Sequence, residues 1–94
     1  MKVRFTRQAR RDIDAVYDFI ARDNPDAAQR TLDRIKHMIA TLPDHPRMGR
    51  PGRNEGTREF VVPGLPYIVA YRTTPTSVDI VSIIHAARRW PDDF

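Results

Sequence analysis

Three hydrophobic patterns divide the chain: a short alternation, two helical stripes, and three apolar runs broken by turns. Val3 and Phe5 alternate with Lys2 and Arg4, the period-2 pattern of a half-buried strand. Thr6 then offers a hydroxyl as N-cap. Ala9, Ile13, Val16, Tyr17 and Ile20 follow at helical spacing and make one apolar stripe. Arg10, Asp14, Asp18 and Arg22 take the opposite face, where i, i+4 ion pairs are expected. Asn24-Pro25 ends this helix, because a residue before proline is pushed out of the α region. The same dipeptide starts another, with Asn24 as N-cap, Pro25 in the first position and Asp26 at the positive end of the dipole. Ala28, Leu32, Ile35, Ile39 and Leu42 form its stripe, with Met38 at the edge and His37 off it. So short a connection makes the two helices antiparallel.

Pro43 ends the second helix. Residues Pro43 to Thr57 hold three Pro and three Gly, which predicts a loop without regular structure. Arg58 to Arg72 reads as a hairpin: Phe60, Val61 and Val62 lead into Pro63-Gly64, and Tyr67 to Tyr71 return. Thr73 to Ser77 is a turn, and Val78 to His85 is a third strand beside the second. The order β-α-α-β-β-β predicts an α+β domain, an antiparallel sheet with an N-terminal helical hairpin on one face, and residues 1–94 form a single unit. Ile68, Val69 and Ala70 lack polar alternation, which places them in a central strand covered on both faces. Two helices shield one face only. Val61, Val69 or the residues of the other parity are therefore expected to lie bare and to need a partner, unless Trp90 and Phe94 fold back over them.

Composition narrows the chemistry. With no cysteine among 94 residues, neither a disulfide nor a thiolate metal site is available. His37, His45 and His85 stand apart, so no metal or other cofactor is expected. No apolar run approaches the roughly 20 residues of a membrane span, and the N-terminus lacks the apolar core of a secretory signal, so the expectation is a soluble, cytoplasmic protein. The net charge of +4 is carried by arginine, since Lys2 and Lys36 are the only lysines. Arginine offers planar, bidentate donors, which points to RNA, DNA or an acidic protein as partner.

The arginines cluster. Arg47, Arg50, Arg53 and Arg58 recur through the Pro/Gly-rich loop with only Glu55 in opposition, and arginines on so stiff a backbone suit a binding role that clamps phosphates; the alternative is a charged loop that packs Met48 against the helices. His85, Arg88 and Arg89 close the last strand. Were Arg58, His85 and Arg88 to converge, they would suit metal-free RNA cleavage, with His85 as acid or base and the arginines stabilising the charged transition state. A meander places the start of its first strand and the end of its third at opposite ends, so convergence is open at this point. His85 could equally be a strand-end histidine bonded to backbone, and Trp90 a lid on the apolar face.

The run ARRDIDAVYDFIARDNPDAA, the loop HPRMGRPGRNEGTREFVVPG, the strand YIVAYR and the ending VDIVSIIHAARRWP closely resemble the RelE/ParE superfamily of toxins from bacterial type II toxin-antitoxin systems. The resemblance covers nearly the whole chain in order. It implies the β-α-α-β-β-β fold, a cognate antitoxin encoded by an adjacent gene, and a hetero-oligomer in which an antitoxin segment wraps the helices and sheet. Ile13, Tyr17, Val61, Val69 and Trp90 are then the residues expected to meet the antitoxin, and Arg47, Arg50, Arg53, Arg58, Arg88 and Arg89 those expected to meet the target. RelE-like members cut mRNA on the ribosome with Lys/Arg residues and a C-terminal Tyr or His; ParE-like members lack that set and poison DNA gyrase. Here the loop has no lysine and no tyrosine follows Tyr71, while the long helical hairpin is more like ParE. The resemblance thus favours a gyrase-type toxin. A RelE-like ribosome-dependent mRNA endoribonuclease using Arg58, His85 and Arg88 is the alternative, and a non-toxic nucleic-acid-binding regulator a third reading.

Overall fold

In the computed structural model, which describes residues 1–87, the local signals act where the sequence places them. Strand β1 (Lys2–Phe5) leads to Thr6, whose Oγ1 accepts the Ala9 N–H at 3.1 Å and opens helix α1 (Arg7–Ala21). Asn24 Oδ1 accepts the Ala27 N–H at 3.0 Å and opens helix α2 (Pro25–Ala40), with Pro25 in its first turn. Each cap satisfies one of the amides that a helix start leaves without a partner, worth about 1 kcal/mol. The i, i+4 ion pairs expected on α1 are not closed. Gln8 Nε2 donates to Asp12 instead, and Asp12 does more than decorate the surface.

Beyond the helices come β2 (Arg50–Pro51), β3 (Arg58–Val61), β4 (Tyr67–Thr73) and β5 (Ser77–His85). They form one five-stranded sheet in the order β1-β5-β4-β3-β2. The hairpin and the third strand are antiparallel, as the pattern predicts. Two details differ. First, β1 pairs in parallel with β5, Val3 opposite Val78 and Phe5 opposite Ile80, so the sheet is mixed. Second, the Pro/Gly-rich loop does contain a strand: Arg50 pairs with Glu59 and Pro51 with Arg58, because the loop folds back along β3. The proline sits on the sheet's outermost strand, where the N–H it lacks is not missed.

Both helices cover one face. Ile35, Ile39 and Leu42 from the α2 end meet Val62, Val69, Tyr71, Val78 and Ile80 from the sheet, all buried. Asp12 ties α1 to the sheet directly: its Oδ2 accepts the Ser82 hydroxyl at 2.7 Å and the Ile83 N–H at 2.9 Å. This carboxylate serves β5 past the point where its pairing with β1 ends.

Val69 corrects an expectation. It faces the helices and is fully buried, so it is core rather than partner surface. Its parity is fixed by pairing with Phe60 on one side and Ile83 on the other, both in the same core. The second face is also less bare than counting helices predicts, because Ile68, Ala70 and Ile84 are buried too. Val61, 51% exposed, is the large apolar residue left open on the described sheet. The proposed lid, Trp90 and Phe94, lies outside the described residues.

Candidate functional site

The basic loop is held from underneath by two residues that carry no positive charge. Tyr71 lies in β4 with its ring edge-on to Phe60 at 6.1 Å and none of its surface exposed. Its hydroxyl crosses from the core to the loop, donating to the Pro46 carbonyl at 2.9 Å and accepting the Gly49 N–H at 2.9 Å. One oxygen thereby fixes both ends of the segment Pro46 to Gly49. The approach is so close that Gly49 has no room for a side chain: a Cβ there would lie 2.8 Å from the Glu59 carbonyl oxygen and 2.8 Å from the Tyr71 hydroxyl.

Glu59 fixes the next segment. Its side chain, 3% exposed, accepts from Arg50 Nε at 3.2 Å and Nη2 at 2.9 Å through Oε1, and from the Arg53 N–H at 3.3 Å through Oε2. The Gly52 N–H donates to the Thr57 carbonyl at 2.8 Å and closes the loop's tip. Arg58 reaches back, Nη1 to the Gly49 carbonyl at 2.6 Å. Glu59, and not Glu55, is the carboxylate that opposes the arginines. Alternation hid it, since a glutamate at the start of an apolar strand looks like an outward surface position until β2 folds over it.

The candidate arginines therefore divide. Arg50 and Arg58 are engaged with the protein itself, while the Arg47 side chain is exposed beside Met48, which is 41% exposed. With His45, Pro46 and Arg47, Met48 lines a shallow recess of about 450 Å³. Arg53 is exposed at the tip. Arg88 and Arg89 lie outside the described residues.

Arg58 and His85 are not brought together. Arg58 pairs with Tyr71, and His85 pairs with Tyr67 on the other side of β4. Four residues along the strand and two strand spacings across it separate their backbones by about 16 Å. The Arg58 guanidinium turns to Gly49, toward the far edge of the sheet. His85 stacks edge-on against Tyr67 at 5.4 Å, and its Nδ1 accepts the Ala87 N–H at 3.1 Å. It is thus a strand-end histidine bonded to backbone, though to an amide and not a carbonyl.

On the helical side, Ile13 and Tyr17 are half-buried at the margin of the core. Ile13 opens into a cleft of about 360 Å³ with Phe5, Arg10, Asp14 and Lys36. Among the described residues, no helix is long and apolar enough to cross a membrane.

A mixed sheet with a helical hairpin on one face and an arginine loop clamped to its edge defines the class of small basic α+β domains to which bacterial toxins of this fold belong. Residues 3–90 match the family described as ParE toxin of type II toxin-antitoxin system, parDE. Among curated proteins, the chain is 40% identical to Y4kP of Sinorhizobium fredii over 96% of its own length and 93% of that protein's. It is 37% identical to toxin RelE2 of Caulobacter vibrioides, over 93% of this chain and 97% of the other. Among solved structures, a chain of the chromosomal ParDE toxin-antitoxin system from P. aeruginosa superposes with a TM-score of 0.82 at 25% identity, covering 90% of this chain and 95% of that one. The RelBE2 toxin-antitoxin complex from Mycobacterium tuberculosis matches with a TM-score of 0.58 at 28% identity, over 93% and 92% of the two chains. The protein belongs to the ParE toxin family of type II toxin-antitoxin systems, within the RelE/ParE superfamily.

Proposed function

We propose that this toxin arrests growth by poisoning DNA gyrase, that it acts in the cytoplasm, and that an antitoxin encoded by an adjacent gene neutralises it by binding the helical hairpin and the exposed margin of the sheet. The observation that carries the gyrase reading over the nuclease reading is the separation of Arg58 from His85, about 16 Å by strand geometry, with the guanidinium turned away. General acid-base cleavage of RNA needs its proton-transfer group within hydrogen-bond reach of the reacting oxygens, and the cation must meet the same phosphate. The likeness to a ParDE system supports the same choice. Ile13, Tyr17 and Val61 are the exposed or half-buried apolar residues such an antitoxin would cover.

The test is expression without the antitoxin, followed by two readouts on the purified protein. Inhibition of supercoiling with intact mRNA on stalled ribosomes is the expected result. Cleaved mRNA ends with unaffected gyrase would replace this reading by the ribonuclease one, which the likeness to toxin RelE2 keeps worth measuring. Growth without inhibition would leave the non-toxic regulator.

A further inference from the structure

The arginine loop carries a feature that net charge does not explain. The segment His45 to Met48 is not a row of cations but lines a mainly apolar recess with one cation, Arg47. Pro46 and Met48 form the apolar lining, the methionine 41% exposed, and the Arg47 side chain stands in solvent between them. A thioether exposed on a loop is adaptable: its unbranched, polarizable chain fits an incoming apolar group of varied shape. The backbone below is not adaptable at all. The Tyr71 hydroxyl holds the Pro46 carbonyl and the Gly49 N–H on either side of the recess, Arg58 holds the Gly49 carbonyl, and Glu59 holds Arg50 and the Arg53 N–H.

We infer that His45 to Met48 is a preformed docking surface for an acidic segment of a partner protein, which seats one large apolar side chain between Pro46 and Met48 and sets a carboxylate against Arg47, and that Tyr71 and Glu59 are the positioning residues that keep it in shape. The occupant follows from complementarity. The recess is lined mainly by apolar atoms and carries Arg47 in its lining, so an apolar anchor next to a carboxylate satisfies it. A nucleic-acid strand is less well served, because the lining offers one cation, Arg47, where a phosphate backbone is held by several, and the rest of it is mainly apolar. A rigid backbone spares the partner the ordering cost that a free Pro/Gly loop would impose on binding. The inference deepens the reading of the loop as target-binding, by assigning its contact to protein and not to DNA.

The experiment selects short displayed peptides on the immobilised full-length toxin, with counter-selection on Arg47→Ala and Met48→Ser. A single-stranded oligonucleotide is titrated in parallel. The expected clones are acidic with one large apolar residue, bind the parent, and lose about tenfold or more in affinity on either variant. Tyr71→Phe supplies the decisive arm. That side chain is fully buried and touches no partner, so a loss of about tenfold in peptide affinity in a protein that still melts in one cooperative transition well above the assay temperature reports positioning alone. Faster amide exchange at Gly49 must accompany it, and the Arg47→Ala protein must keep the parental exchange rate. Clones that bind parent and variants equally overturn the surface. Oligonucleotide binding that depends on Arg47, without such peptides, overturns the choice of partner. Unchanged affinity in Tyr71→Phe overturns the positioning role. None of these arms uses gyrase, so a toxin that leaves supercoiling intact refutes the proposed target without touching this result.

Discussion

A single methyl group at position 49 tests whether the loop is clamped to the sheet. In Gly49→Ala the added Cβ would sit 2.8 Å from the Glu59 carbonyl oxygen, 2.8 Å from the Tyr71 hydroxyl and 2.9 Å from Tyr71 Cε1. None of these can retreat easily. The Glu59 backbone is paired on both sides, to Arg50 and to Ala70, and Tyr71 is packed in the core without exposure. Overpacking of this kind costs about 1–3 kcal/mol. Relief requires the loop to lift, which breaks the Gly49 N–H to Tyr71 bond, a further cost of about 1 kcal/mol or more. A total near 3 kcal/mol lowers the melting temperature by roughly 12–24 °C in a domain of this size. Gly56→Ala is the control, because a Cβ there meets nothing within 4 Å and the cost is confined to its φ of +76°, about 1 kcal/mol. Calorimetric melting of the three proteins is the assay. A Gly49→Ala protein that melts with or above Gly56→Ala would show that Tyr71 does not hold the loop as described.

Other substitutions probe the remaining links. Asp12→Ala leaves the buried Ser82 hydroxyl and the Ile83 N–H without their acceptor and should cost roughly 3 kcal/mol in urea unfolding, with Asp12→Asn recovering part of it; equal stability of Asp12→Ala and parent would mean α1 is not pinned to β5 this way. Ile35→Ala, at a fully buried position between α2 and the sheet, should cost about 2–5 kcal/mol by the same assay. His85→Ala should inhibit growth as the parent does, since the ring packs on Tyr67 and faces no arginine of the loop; loss of inhibition with an unchanged melting curve would revive a catalytic role. Val61→Asp should leave stability within about 0.5 kcal/mol of the parent while weakening antitoxin binding in titration calorimetry, and undiminished binding would remove Val61 from that interface.

Every element of this protein except the two-residue strand β2 was legible in its sequence, because the causes are local. A hydroxyl three residues before an amide caps α1, a proline after Asn24 ends one helix and begins the next, and the 3.6-residue stripes state which side of each helix is buried. The family resemblance was legible for the same reason, since it rests on runs of consecutive residues, and residues 3–90 match that family. The arrangement of the site was not legible. Tyr71 reaches Pro46 across 25 residues and Gly49 across 22, and nothing in either neighbourhood names the other. Val69 reads the same whether its face meets helices or solvent, because a strand apolar on both parities does not say which is which; only pairing with Phe60 and Ile83 decides it. Arginines that look equivalent along the chain became unequal once β2 folded onto β3 and gave Arg50 to Glu59 and Arg58 to Gly49. Sequence alone thus determined every element but β2, the charge and the family. Which cations remain for a partner, and how far Arg58 stands from His85, was decided by strand register, a property of contacts between distant residues that no local pattern encodes.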